Sequence, residues 1–186
     1  MEDRQTARKR IEVQIERITS MVNDILDFTR GTPQQVVFAK LEFNIFIERV
    51  VGEFRAELES KGVKIEFVNP PPTTKLSLNP QRLSRVLYNI VFNAVDVMPE
   101  GGTIRLRFNG TDAAIVTEIE DSGPGIPPEI AESLFEPFAT FGKAKGTGLG
   151  LYIARRVVEE HRGTIRARNG PGRGAIFSIT LPKTDA

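Results

Sequence analysis

The chain has 186 residues, 40% of them hydrophobic, enough for one well-buried domain with an appended element and too few for two full domains. Lys and Arg number 25 against 24 Asp and Glu, so a net charge of +1 gives no electrostatic reason to expect nucleic acid or an anionic membrane surface as partner. The absence of cysteine excludes disulfides, thiolate metal sites and thiol catalysis, and no apolar run approaches the roughly 20 residues of a spanning helix, so no membrane contact is expected of this segment.

From Ile11 the apolar positions Ile15, Ile18, Val22 and Ile25 recur at spacings of four and three, which predicts an amphipathic helix with a coiled-coil-like seam. Gly31, Thr32 and Pro33 end it, and residues 31 to about 40 read as linker. So short a helix cannot bury its seam alone; it either folds back on the domain or serves dimerisation. A second helix is predicted from about Ile45 to Lys61, with Ile47, Val50, Val51, Phe54 and Leu58 on one face and Gly62 closing it. Strand-like Val63 to Val68 follows, Pro70 to Pro72 break the chain, and Leu76 and Leu78 alternate with polar residues as a short strand does.

Asn79 as cap and Pro80 at the first position announce a third helix, which runs to about Val97 with Leu83, Val86, Leu87, Ile90, Val91 and Ala94 on its buried face. Thr103–Phe108 and Ala114–Ile119 read as a hairpin joined through Asn109 and Gly110, and a glycine-rich region extends from Asp121 to Gly150. Leu149 to Glu160 is helical by period, Gly163 ends it, and Thr164–Arg168 and Ala175–Leu181 form a last hairpin across Gly170–Gly174. Burying one face of such a sheet needs a helical layer, so the expected architecture is a two-layer α/β sandwich, with about three helices over a mixed, mostly antiparallel sheet.

Several clusters carry possible chemistry. Asn89 and Asn93 share a helix face with Asp96 one turn on, which suits either polar contacts to a neighbouring loop or a hard cation that takes oxygen ligands. Asp121-Ser122-Gly123-Pro124-Gly125 sets a carboxylate at a strand end beside glycines that let a flat ligand reach backbone, although the same residue types make ordinary turns. Gly146-Thr147-Gly148-Leu149-Gly150 runs directly into a helix, an arrangement that offers backbone N–H groups to phosphates, with Lys143 and Lys145 adding positive charge. The spacing fits neither a P-loop nor a dinucleotide fingerprint. Gly172-Arg173-Gly174 reads as a tight turn, and His161, the only histidine, sits at a helix end where dipole and capping account for it.

Taken in order, NxxxNAxD at 89–96, DSGPG at 121–125, FEPF at 135–138, GTGLGL at 146–151 and GRG at 172–174 resemble the catalytic and ATP-binding domain of sensor histidine kinases, over about residues 41–182. "NAVDVMPEGGTI" resembles the nitrogen-regulation branch of those kinases. The resemblance implies a Bergerat-type ATP-binding fold at 41–186, preceded by a partial dimerisation and phosphotransfer helix at 1–30 and a linker at 31–40. It implies ATP and Mg²⁺ as ligands, with Asn93 holding the metal, Asn89 supporting metal and phosphates, and Asp96 on the same face. Asp121 would accept the adenine amino hydrogen beside Gly123, Gly125 and Ile126, with Thr180 assisting.

The segment from about Gly125 to Gly148 would form a lid anchored by Phe135 and Phe138, and Lys143, Lys145, Gly146, Thr147, Gly148 and Leu149 would meet phosphates. Val97 and Met98 replace the lysine or tyrosine that often follows the asparagine motif in that family. The implied partners are the acceptor-histidine helix of the same kinase, a response-regulator receiver domain and, in the full-length protein, a second copy; the implied location is cytoplasmic, in a kinase either soluble or membrane-anchored. His161 matches a helix-to-strand corner of the family and not its acceptor motif. The neutral Asn89 stands where ATP-hydrolysing relatives carry a carboxylate, which favours transfer to an outside nucleophile. A nucleotide-binding regulatory module without turnover is the alternative.

Overall fold

The computed structural model describes residues 37–140 and 147–183. The helix expected at 11–29, together with Lys143, Lys145 and Gly146, lies outside the described residues.

The chain enters through β1 (Ala39–Glu42), which pairs antiparallel with β3 (Lys75–Leu78), Leu41 standing opposite Leu76. The end of the expected linker is therefore a strand, formed by pairing with a distant segment and not by any local alternation. Helix α1 (Phe43–Ser60) buries Phe43, Phe46, Ile47, Val50, Val51, Phe54 and Leu58, and Gly62 follows its end as the spacing predicted. After β2 (Val63–Phe67), helix α2 (Pro80–Asp96) begins as expected: the Asn79 side chain accepts the Arg82 N–H at 3.0 Å, and Pro80 occupies the first position.

The main sheet has the order β2-β4-β5-β7-β6, with β4 at Gly102–Gly110, β5 at Ala114–Asp121, β6 at Thr164–Asn169 and β7 at Ala175–Pro182. Only β2 and β4 run parallel; the other neighbours are antiparallel. Asn109 and Gly110 do not form the β4–β5 turn, because they stay in the ladder opposite Val116 and Ile115. The turn lies at Thr111–Ala113, where the Thr111 hydroxyl accepts the Ala114 N–H at 3.1 Å and the Thr111 N–H donates to the Ala114 carbonyl at 2.9 Å. A threonine that satisfies the turn's own amide moves the reversal past the glycine.

Alternation along β5 sends Ile115, Thr117, Ile119 and Asp121 inward and Glu118 and Glu120 outward, the latter opposite Arg107 and Arg105 of β4. The inward face meets α1, α2 and α4 (Gly150–Glu160), so the two-layer sandwich is as expected, with one added single-turn helix α3 (Pro128–Ala131). Helices α2 and α4 lie antiparallel: Arg82 pairs with Glu160 at one end, and the Asn89 amide donates to the Gly150 carbonyl at 2.9 Å at the other. No described helix is long and apolar enough to cross a membrane.

Candidate functional site

Asp121 closes the inward face of β5, opposite Ile104, where the hydrophobic layer stops. It is 5% exposed, and its Oδ1 accepts two backbone N–H groups, Gly123 at 2.8 Å and Ala175 at 3.2 Å. Burial pushes its pKa above 3.8; the two amide hydrogen bonds oppose that shift and nearby Glu120 adds to it. A carboxylate so placed is held by one oxygen at the rim of the core, which is the disposition needed to read a single hydrogen-bond donor on a ligand.

The loop after Asp121 is fixed by its protein neighbours. The C-terminal end of α2 supplies a floor: a methyl added at Gly123 would stand 2.9 Å from Asp121 Oδ1, 3.2 Å from Val97 Cγ2 and 3.3 Å from Met98 Cγ. Val97 and Met98, which replace the polar residues usual in the resembling family, thus pack beneath the loop. Gly125 has φ +90°, and a methyl there would stand 2.7 Å from Asn169 Oδ1. The protein thus crowds the Cβ side of both glycines, with Asp121, Val97 and Met98 at Gly123 and Asn169 at Gly125. The opposite wall is the β6–β7 hairpin, where Gly174, at φ +96°, has no space for a side chain because a methyl would overlap the Asp121 carbonyl.

Helix α2 joins this carboxylate to the glycine box. Asn89 and Asn93 are half-buried on it and Asp96 is exposed. The Asn89 Nδ2 bond to the Gly150 carbonyl ties the middle of α2 to the first turn of α4, so this side chain orients the glycine box directly. Leu149 is buried in the core at 1% exposure, and the Thr147 hydroxyl accepts its N–H at 3.3 Å. The N-cap residue of α4, Leu149, makes no side-chain cap hydrogen bond, so the first turn can present backbone donors beside Asn89. The base of the loop before it is closed by the Phe138 N–H donating to the Gly148 carbonyl at 3.0 Å.

Two expectations are revised, those for Thr180 and Phe138. Thr180 stands opposite Val116 and Thr164 on the outward face of the sheet, while Ala175, Phe177, Ile179 and Leu181 alternate inward; the β7 residue at Asp121 is Ala175. The period of two along β7 puts an even-numbered residue on the wrong face. Phe135 does reach the core, edge-on to Phe177 with centroids 6.5 Å apart, but the Phe138 ring is 62% exposed on a backbone with φ +66°, so Phe138 anchors through its main chain. His161 is 3% exposed: its Nδ1 bonds the Val157 carbonyl at 2.7 Å and its Nε2 accepts the Asn79 N–H at 3.0 Å. A carbonyl can only accept, so Nδ1 carries the proton and the ring is neutral. His161 is the C-cap of α4 and its ring caps a last-turn carbonyl, as expected; burial depresses its pKa below 6.5, and both ring nitrogens are engaged within the protein.

Sequence reasoning missed Asn169. Its Oδ1 accepts the Ile126 N–H at 2.6 Å and its Nδ2 donates to the Ile126 carbonyl at 3.1 Å, binding the loop to the end of β6. No local signal marks it, since asparagine before glycine reads as hairpin punctuation.

Residues 78–185 match the family described as histidine kinase-, DNA gyrase B- and HSP90-like ATPases. The sensor histidine kinase ZraS of Salmonella typhimurium is 31% identical over 169 residues, covering 90% of this chain and 36% of that protein, so the chain spans little more than a third of this curated relative. The catalytic domain of the histidine kinase ThkA superposes with a TM-score of 0.68 at 31% identity, over 79% of this chain and 98% of that one. ThkA in complex with the response regulator protein TrrA gives 0.74 at 27% identity, over 94% of this chain and 49% of that one. The buried carboxylate of Asp121 between two backbone amides, the asparagine helix laid against the glycine box and these likenesses agree: the chain belongs to the histidine kinase-, DNA gyrase B- and HSP90-like ATPase family, in the form taken by histidine kinase catalytic domains.

Proposed function

We propose that residues 41–186 bind Mg-ATP and transfer its γ-phosphoryl group to a histidine outside this domain, as the catalytic domain of a two-component sensor kinase. The observation that carries the reading is Asp121: both amide bonds end on Oδ1, so Oδ2 is the atom left to accept the adenine amino hydrogen. Gly123, Gly125 and Ile126 line the base, with Ala175 taking the place expected of Thr180. Asn93, with Asn89 behind it, would hold Mg²⁺ through amide oxygen. Among the described residues no group of three or more His, Cys, Asp and Glu is placed to bind a metal, which fits an ion carried chiefly by nucleotide phosphates. When bound, Mg²⁺ supplies charge neutralisation across the phosphates.

The chain's own contribution is alignment. The Asn89–Gly150 bond sets the first turn of α4 so that its N–H groups, with Thr147, Gly148 and Leu149, face the phosphates; Lys143, Lys145 and Gly146 are assigned to the phosphates on the sequence resemblance alone. Asp96 borders the same face. An imidazole nitrogen of the acceptor helix attacks γ-phosphorus as the bond to the bridging oxygen breaks and ADP leaves. Asn89 is neutral and its amide is engaged, so it cannot serve as base to a water, which favours phosphotransfer over hydrolysis. The complex of ThkA with a response regulator supports a receiver domain as the next phosphate carrier. A paired second copy in the full-length protein, residues 1–30 as part of the dimerisation helix and a cytoplasmic location complete the proposal.

Calorimetric titration of the chain with Mg-ATP, followed by phosphate transfer to an added acceptor-helix fragment, tests it. Saturable binding with transfer is expected. No binding overturns the reading, and binding without transfer to any such fragment indicates a regulatory nucleotide module.

A further inference from the structure

A side chain of the β6–β7 hairpin grips the loop after Asp121 through both backbone polar groups of Ile126, and no motif of the sequence marks it. Asn169 presents to Ile126 the pattern a neighbouring strand would: Oδ1 accepts the Ile126 N–H at 2.6 Å and Nδ2 donates to the Ile126 carbonyl at 3.1 Å. The same Oδ1 is the atom a methyl at Gly125 would strike, so Gly125 is pressed against the amide it serves. The next contact of that imagined methyl, at 3.3 Å, is the carbonyl of Gly174, and the Gly170 N–H donates to this same carbonyl at 3.0 Å. Asn169, Gly170 and Gly174 therefore form one bracket, and Ala175 at its end donates to Asp121 Oδ1. The carboxylate and the loop lining the base are thereby aligned by one hairpin.

We propose that Asn169 is a positioning residue for adenine recognition: its amide holds Gly125 and Ile126 in register with Asp121, so that the pocket discriminates an amino group from a carbonyl on the purine ring. This rests on the nucleotide-binding reading above. Asn169 is exposed, so water can replace its partners if it is lost. The fold then keeps its hydrogen bonds, and what disappears is the fixed placement of the loop. Aspartate tests the geometry closely, since a carboxylate still accepts the Ile126 N–H but turns a second oxygen on the Ile126 carbonyl.

The experiment measures Mg-ATP and Mg-GTP affinities and the thermal midpoint for the unaltered chain, Asn169→Asp and Asn169→Ala. The expected result is a fall of about tenfold in the ATP-over-GTP ratio for both variants, the size set by losing one or two ordinary hydrogen bonds, with little change in midpoint. A general loosening of the domain lowers both affinities together, so a fall in midpoint with the ratio unchanged overturns the proposal. An unchanged ratio at unchanged midpoint overturns it equally. Absence of ATP binding by the unaltered chain overturns the nucleotide reading and this inference with it; intact ATP preference in the variants sinks this inference alone.

Discussion

Replacing Asp121 with asparagine separates recognition from folding. In the folded chain Oδ1 accepts from Gly123 and Ala175, and the amide oxygen of an asparagine can keep both bonds. Its NH₂ group then takes the place of Oδ2 and faces the adenine amino group, donor against donor. Flipping the amide mends that contact but sets the NH₂ against the two backbone N–H groups. The first orientation sets two donors against each other and the flipped one leaves both backbone N–H groups without an acceptor, so at least one buried donor is unpaired, at about 1–3 kcal/mol, or roughly a five- to 150-fold loss of Mg-ATP affinity. Stability moves differently. The folded pKa of Asp121 is raised above 3.8, so stability linked to its protonation is present at low pH and lost as pH rises through the folded value. At neutral pH the ionised group is a net cost, and Asp121→Asn is expected to keep or raise the thermal midpoint while binding falls. Calorimetry and a melting curve on the same sample check both halves. Unaltered affinity, or a clear drop in midpoint, refutes the assignment of Oδ1 to the backbone and Oδ2 to the ligand.

Gly174→Ala forces a methyl onto the Asp121 carbonyl at a backbone angle of +96°, and chemical denaturation should show a loss of at least about 2 kcal/mol together with weakened nucleotide binding. Asn89→Asp sets a carboxylate against the Gly150 carbonyl; phosphotransfer to an acceptor fragment is expected to drop by more than about tenfold, and full retention would show that the helix tie is dispensable. His161 has its folded pKa below 6.5, so from 6.5 downward the unfolded chain gains a proton that the folded chain refuses, and stability falls with falling pH. In His161→Phe that part of the slope should vanish, at a cost of about 1–3 kcal/mol above the window for the orphaned Asn79 N–H; denaturation midpoints across the window decide it.

What was legible followed from local rules. Asn79-Pro80 gave the start of α2 to the residue because cap and ring act within one turn, and the alternation in β5 and β7 located their strands because one face is buried. Strand β1 was not legible, since Ala39–Glu42 has no pattern of its own and exists by pairing with residues 75–78. The glycines of the DSGPG loop were legible as a place where a flat ligand could reach backbone, but not their crowding by Met98, Val97, Asn169 and Asp121, contacts that only the folded chain creates. Thr180 was misplaced by parity, its neighbours Ile179 and Leu181 being the inward pair. Asn169 is hidden for the plainest reason, a partner 43 positions away along the chain.

Asn79 spends each of its polar side-chain and amide groups on a different neighbour: Oδ1 on the start of α2, Nδ2 on the Val37 carbonyl of the incoming chain at 3.0 Å, and its backbone N–H on His161 at the end of α4. Phe38 lies edge-on to the same imidazole, with centroids 4.9 Å apart. The segment that leads into β1 is thus joined through Asn79 to both of the helices that carry the asparagines and the glycine box. The incoming chain at Val37 and Phe38 is thereby bonded or packed to the N-terminus of α2 and the C-terminus of α4 together, and both helices run from there toward the proposed nucleotide site.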